Sequence, residues 1–525
     1  MVHDVQHLNS GNDVGANGLP GTARELLEKT TLIIASNRGP IEFQIEEDGS
    51  YSTRRGSGGV VTAVGAVSRY SSLIWVASAM TEGDRRRARE ADDAGEVIIT
   101  PPDSDVRLRF VLADEDAYEG YYNRISNPLL WFLQHYLWDT PRSPDIDQQT
   151  WNAWNNGYVT VNRQFATEIV AAARASERKP LVMLQDYHLY LAPGLIRELM
   201  PEITLQHFIH IPWPDPDYWQ LLPHEMRRSI CASMLANDIV GFQTSSHARS
   251  FMNTCDVNLD GVEIDYRRRE IRYRGRTTRV AVYPISIDCD AVEAVSMTED
   301  ALRHEEHLAT FGNEFTIVRV DRAEPSKNIV RGFLAFDRFL EEFPEFIGRV
   351  NFLAFLVPSR LEVLEYVDYL DDINTVVGRV NTKYANAAEQ DGVAWQPIRL
   401  FIGDDYPRAL AALKRYDVLL VNAIFDGMNL VAKEGALLNQ QDGVLILSEA
   451  AGAYQQLGPF SLTVSPTDIE STAKAIHDAL TMDREKRAAW SRDLRKLVQT
   501  QNIRTWIYAQ IEDIAKLTGE SQPLR

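Results

Sequence analysis

Residues 417–434 read DVLLVNAIFDGMNLVAKE, and the reading of this stretch decides the fold. Asp417–Val421 is an apolar run behind one acid, with the length of a strand buried on both faces. Phe425-Asp426-Gly427 breaks the run, and a helical stretch carrying Glu434 follows. A strand that ends in Asp-Gly and opens a helix leaves unpaired backbone N–H groups at the first turn, where an anion can sit. Asp426 puts a carboxylate beside that seat, and Glu434 lies two turns further on. The plainer alternative is an ordinary β–turn–α corner, with Asp426 capping the helix.

Outward from this corner the same rhythm repeats. Phe315–Val320, Val350–Phe355, Ile398–Ile402 and Val444–Ser448 are further strand-length apolar runs separated by helical stretches. Earlier in the chain, Leu32–Ala35, Leu73–Ala77, Pro180–Leu184, Leu205–His210 and Asp238–Phe242 do the same. Strands alternating with helices predict parallel sheets covered on both faces. Residues 60–70, VVTAVGAVSRY, read as a closely packed helix, and the Arg- and Tyr-rich residues 262–283 as a β-ribbon. The expected fold class is α/β, with two Rossmann-like, doubly wound parallel-sheet domains facing a central cleft. The expected division is a structureless tail over 1–28, a first domain over 29–288 and a second over 289–498, with a C-terminal helix over 499–525 packing back on the first.

Composition narrows the class. A chain of 525 residues is long enough for two or three cores. Lys plus Arg total 54 against 74 Asp plus Glu, a formal net charge of −20, which argues against nucleic acid or an anionic membrane as partner. Any phosphate site must therefore gather its own local cations. The widely spaced Cys231, Cys255 and Cys289 form no metal motif and fit a reducing compartment. Neither a membrane-length apolar run nor a signal pattern is present, so a cytoplasmic enzyme is expected.

In doubly wound sheets, ligands bind beyond the carboxyl ends of the strands. The residues expected there are Arg38, Asp186, His210, Arg322, Lys327, Arg360 and the Asp426 loop, drawn from both halves. Cations contributed by each half suit a phosphorylated, multi-hydroxyl ligand.

Several segments, in order, then match one family: Asn37-Arg38-Gly39-Pro40, Gly58-Gly59, Tyr121-Tyr122-Asn123 followed by Trp131, Asp186-Tyr187-His188, His210-Ile211-Pro212, Gly241-Phe242-Gln243-Thr244, Tyr283-Pro284-Ile285, Arg322 with Lys327, Pro358-Ser359-Arg360, and Asp426 through Glu434. Over about residues 30–515 the chain resembles the trehalose-6-phosphate synthase family of retaining GT-B glycosyltransferases. The resemblance implies transfer of glucose from a nucleotide-sugar, UDP-glucose or GDP-glucose, to a phosphorylated acceptor, with glucose 6-phosphate the leading acceptor and trehalose 6-phosphate the product. It implies that Arg322 and Lys327 grip the diphosphate, with Gly58, Gly59, Gly427, Met428, Asn429 and Leu430 completing the cradle. Asp426 would then bind sugar hydroxyls and Glu434 the ribose. Arg38, Tyr122, Trp131, Asp186 and Arg360 would hold the acceptor, and Asp186, His210, Arg322 and Lys327 are the catalytic candidates. No tightly bound cofactor and no metal is implied. The Asp-x-Asp triplets Asp145/Asp147 and Asp215/Asp217 read as loops. Partners are small molecules, with homo-oligomerisation left open.

Two departures from the family pattern bear on the acceptor more than on the reaction. Its usual Arg-Leu-Asp-Tyr-x-Lys-Gly is here Arg322-Ala323-Glu324-Pro325-Ser326-Lys327-Asn328, and its Trp-x-Gly-Trp is Trp75-Val76-Ala77-Ser78. Glucosylglycerol-phosphate synthases and pseudo-glycosyltransferases are neighbouring alternatives. A sugar-phosphate sensor is the non-enzymatic one.

Overall fold

The structure, a computed structural model, describes residues 19, 21–55, 71–92, 95–99, 106–311, 314–360, 363–390 and 393–520. Gly58, Gly59 and the helix expected over 60–70 lie outside these residues.

Two sheets organise the chain. The first has ten strands, in the spatial order Glu263–Asp265, Glu270–Tyr273, Arg276–Val282, Ile239–Phe242, Thr204–Phe208, Lys179–Gln185, Thr30–Ser36, Ser72–Ser78, Val106–Val111 and Val97–Ile99. Its central strands are all parallel, in a register that sets Leu32 beside Leu73 on one side and Leu181 on the other. The second has six strands, in the order Ile398–Ile402, Val350–Val357, Phe315–Arg322, Val418–Val421, Val444–Ser448 and Leu462–Val464, all parallel. Continuous apolar runs form these strands because helices cover both faces, leaving no face for an alternating polar row. Val418–Val421 and Val444–Ser448, for example, are buried at every position.

The strand order places the site. In the first sheet the winding reverses between Thr30–Ser36 and Lys179–Gln185, and in the second between Phe315–Arg322 and Val418–Val421. At such a reversal the loops leave in opposite directions and open a crevice. Arg38 and Asp186 follow the first pair of strands; Lys327 and Asp426 follow the second.

Two expectations, on the N-terminal tail and on one Asp-x-Asp triplet, are corrected. The tail does not run to residue 28: Gly21–Lys29 is helical, with Ala23 and Leu27, one turn apart, fully buried. They pack toward the C-terminal helix Ile503–Glu520, a long-range contact that local composition cannot reveal. The residue 262–283 segment forms the expected antiparallel ribbon, Glu263–Asp265 with Glu270–Tyr273 and Arg276–Val282, and its last strand also joins the main sheet parallel to Ile239–Phe242. A separate hairpin, Ile41–Ile45 with Tyr51–Arg55, precedes Gly58 and Gly59 in the chain. Asp145 and Asp147 lie in a loop, with Asp147 capping helix Gln148–Asn152, whereas Asp217 of the second triplet lies inside the short helix Pro216–Trp219.

The chain passes from the first sheet to the second after Val282 and returns after Thr500. Where the crossings meet, the Ile503 N–H donates to the Ile287 carbonyl at 2.9 Å. The returning helix Ile503–Glu520 then lies on the first sheet: Gln206 donates to Gln510 at 2.6 Å and Tyr283 to Asp513 at 2.9 Å. Among the described residues no helix is long and apolar enough to cross a membrane.

Candidate active site

The second sheet supplies a cluster of charges. Lys327, on a one-turn helix just after Phe315–Arg322, forms an ion pair with Asp426 across the reversal. Asp426 also accepts from Asn429 Nδ2 at 3.1 Å. Burial pushes the Asp426 carboxyl up, but Lys327 outweighs it and holds the group below the usual carboxylate range. Asp426 is not the helix cap. Asn429, at φ 78°, takes that role and accepts from the Ala432 N–H at 3.1 Å, so Asp426 can face the cleft. Helix Leu430–Leu438 starts there, with Met428 and Asn429 buried at its mouth. Glu434, one turn in, accepts from the Tyr406 hydroxyl at 2.9 Å, and burial raises its pKa. Arg322 is half exposed and pairs with the fully buried Glu324 at 3.0 Å.

The first sheet supplies an aromatic and cationic wall. Residues Gly120–Trp131 wind as a wide π-helix, a form common at functional sites, and carry both Tyr122 and Trp131. A second wide turn, Ala153–Tyr158, packs against it so closely that a Cβ on Gly157 would stand 2.6 Å from the Tyr121 nitrogen. Tyr122 stacks on His188 at 5.8 Å and hydrogen-bonds with Arg38. Burial would raise its phenol pKa, but Arg38 and Arg360 together bring it below the ordinary value. Trp131 is only 2% exposed and lies under the Arg360 guanidinium at 4.7 Å, so it supports that arginine from the core. Arg360, at φ 49°, also hydrogen-bonds with Tyr366 and donates to the Tyr187 hydroxyl at 3.4 Å. It belongs to the second domain by sequence, yet it completes the first domain's wall.

Asp186 and His210 stand at the meeting line. Asp186 is held at φ 68°, a region that costs a non-glycine residue energy and so points to function. Burial pushes its carboxyl up to about 6, against the pull of the His210 and Tyr187 N–H groups and of Arg360. The His210 N–H donates to Asp186 at 3.2 Å, while its ring nitrogen Nε2 pairs with Gln185 at 3.0 Å. Burial, with a smaller push from His207, drops the His210 pKa to about 3, so the ring is neutral at physiological pH.

The two sides touch through backbone. A Cβ on Gly427 would lie 1.9 Å from the His210 carbonyl oxygen, and one on Gly452 would lie 1.8 Å from the Gly427 carbonyl oxygen. The Phe425 ring packs on Tyr136 at 4.4 Å, from opposite domains. The structure thus sets the Gly427 turn against His210 and Asp186, Lys327 against Asp426, and Arg38, Tyr122 and Trp131 beside Arg360.

Comparison with known proteins places the chain in a family. Glycosyltransferase family 20 matches residues 30–516. The chain belongs to glycosyltransferase family 20. It is a glycosyltransferase of GT-B fold. The alpha,alpha-trehalose-phosphate synthase [UDP-forming] of Schizosaccharomyces pombe is 31% identical over 502 residues, covering 94% of this chain and 92% of that one. Synthase A of the same description from Dictyostelium discoideum is 29% identical over 497 residues, covering 94% of this chain and 63% of its own length. The chain thus spans less than two thirds of that relative. Among solved structures, a UDP-forming synthase from Burkholderia xenovorans in complex with glucose-6-phosphate superposes with a TM-score of 0.76 at 27% identity, covering 92% of this chain and 99% of that one.

Within this family-20 cleft the structure adds residues that sequence reasoning passed over. Glu324 lies inside the quoted Arg322–Lys327 segment and could have been found by asking what neutralises its two cations. Tyr406 follows Gly403-Asp404-Asp405 at a strand end, a position that flags a ligand-side residue. Asn127, which accepts from the Tyr187 hydroxyl at 2.8 Å, had no local signal. Trp506, whose ring lies 6.1 Å from His210, comes from the returning helix and had none either.

Proposed function

We propose that the chain transfers glucose from UDP-glucose to glucose 6-phosphate with retention of configuration, giving trehalose 6-phosphate and UDP. One observation carries the reading: the two sheet reversals face each other, with Lys327, Arg322 and Asp426 on one side and Arg38, Tyr122 and Arg360 on the other. Two separate cationic poles in a chain of net charge −20 suit two phosphorylated substrates. The relatives named UDP-forming support uridine as the donor base, and the glucose-6-phosphate complex of the Burkholderia enzyme supports the acceptor.

In this reading the bond from glucosyl C1 to the UDP oxygen breaks as the acceptor hydroxyl attacks the same face. The hydroxyl proton passes to the leaving phosphate oxygen. Charge grows on the diphosphate, where Arg322, Lys327 and the N–H groups opening Leu430–Leu438 stabilise it without rearrangement. Asp426, held as an anion, accepts from hydroxyls of the transferred sugar, and Glu434 with Tyr406 takes the ribose. Gly58 and Gly59 would close the cradle, by resemblance alone. Arg38 and Arg360 bind the acceptor phosphate through planar forks, and Tyr122 is fixed between them. His210 is neutral, so it orients by hydrogen bonding and does not donate a proton. Asp186, ionised at neutral pH, accepts from a sugar hydroxyl.

The test offers UDP-, GDP- and ADP-glucose with a panel of sugar phosphates, measures nucleotide release, and identifies products by mass and anomeric configuration. UDP release with glucose 6-phosphate alone, giving an α,α-linked product, is expected. Turnover with glycerol 3-phosphate instead would move the reading to glucosylglycerol-phosphate synthesis. Ser78, standing where the family has its second tryptophan, is the observation that favours such a change. Release with no pair would defeat the enzymatic reading.

A further inference from the structure

Glu324 has no exposed side-chain surface, and its carboxylate sits between the two poles of the cleft. Oε1 lies 3.0 Å from Arg322 Nη1 and 3.8 Å from Arg360 Nη1, and it accepts from Ser359 Oγ at 3.1 Å. Oε2 is buried and has no hydrogen-bond donor among the described residues. The backbone ties the loop: the Glu324 N–H donates to the Arg322 carbonyl at 2.8 Å, and the Lys327 N–H to the Glu324 carbonyl at 3.0 Å. Burial works against the charge, but Arg322, Arg360 and Lys327 outweigh it and keep Glu324 ionised. A buried anion that touches one arginine and faces the other cannot be a neutral spacer.

We propose that Glu324 is a positioning residue that aims the donor-side Arg322 and the acceptor-side Arg360 from a single carboxylate, so that each substrate phosphate binds in competition with it. The inference rests on the proposed function for the names of the two substrates, but not for the contacts. A carboxylate so close to a guanidinium lowers the field a phosphate feels, and it also fixes where the guanidinium points. Glu324 therefore weakens binding of the resting anions and gains alignment of both cations at the moment of transfer, which binding alone does not supply.

The two effects separate in E324Q, which keeps the shape and removes the charge. In the full-length enzyme kcat is expected to fall about thirtyfold or more, while the Kd values of UDP and of inorganic phosphate, measured by calorimetry, tighten; unchanged Kd values would overturn the competition. E324D, which keeps the charge on a shorter stem, should recover at least about tenfold of that kcat. Loss of packing would weaken both anions in step with kcat, and that result overturns the proposal. A wild-type kcat in E324Q does so as well. If E324Q does not fold, E324D is judged alone: kcat lowered with both anions bound no more weakly supports the proposal, and both weakened in step overturns it. The binding arm needs no turnover, so a wild-type enzyme inactive with glucose 6-phosphate would defeat the proposed function and leave this test standing.

Discussion

Lys327 and Asp426 neutralise each other across the sheet reversal, each with little side-chain exposure, 12% and 13%. Removing one partner of such a pair strands the other charge, so Lys327→Ala should lose turnover by about 100-fold or more and also lower Tm. The double variant Lys327→Ala/Asp426→Asn should recover the Tm without the activity; recovery of both would mean the pair is structural only. Arg360→Ala should raise the KM for the sugar phosphate far more than that for UDP-glucose, in steady-state UDP release. Asp186 sets the pH dependence. Its carboxyl is pushed up to about 6, so kcat/KM should rise as pH increases through about 6 and level off above. For stability the sign is opposite: the folded state holds this proton longer than the unfolded chain, so Asp186 costs stability as pH rises from its unfolded range through about 6. Asp186→Asn should therefore gain Tm relative to wild type above pH 6, and the gain should vanish in acid. At this scale the chemistry of the candidates was legible, because arginines and carboxylates at strand ends have few other uses. Their partners were not. Asn127 and Trp506 acquire meaning only once segments far apart in sequence are brought together.

The element that organises the cleft is the turn from Val421 into helix Leu430–Leu438. Its existence followed from an apolar run broken by Asp-Gly, but the identity of its cap did not. Asp426 and Asn429 are both good N-cap residues, and only the hydrogen bond from the Ala432 N–H to the Asn429 side chain settles which one leaves the other free. The wide π-turns of Gly120–Trp131 were invisible for a related reason: their residues show helical spacing, and the extra residue per turn comes from packing on Ala153–Tyr158. Gly427 tests the turn as an element. Gly427→Ala would drive a methyl group into the His210 carbonyl, and one side must retreat. A loss of kcat of at least about tenfold, with UDP affinity retained, is the expected outcome in kinetics and calorimetry. Unchanged kcat would mean that the two halves can separate there without consequence.

At the scale of the molecule, two doubly wound sheets were readable from strand-helix alternation alone. A C-terminal helix packing back on the first half was also expected, but not which of its residues would meet that sheet, because their partners lie hundreds of residues earlier in the chain. Trp506 on that helix is 3% exposed and packs edge-on to Phe208 at 5.1 Å, beside His210. Trp506→Ala should lower stability by about 3–5 kcal/mol and loosen His210, giving a kcat loss larger than any change in substrate KM. Thermal unfolding and steady-state kinetics check the two halves of this expectation.

The contact of Gly427 with the His210 carbonyl, backed by Gly452 against the Gly427 carbonyl, has a consequence for how the enzyme can change. Ligand-binding side chains on either wall can be exchanged, lengthened or lost, as Ser78 and Glu324 already illustrate. The gap between the walls obeys a different rule, because main chain resting on main chain acts as a mechanical stop with no side chain to trim. New acceptors can therefore be admitted by recarving the walls, while the thickness of the slot where the bond forms stays the same.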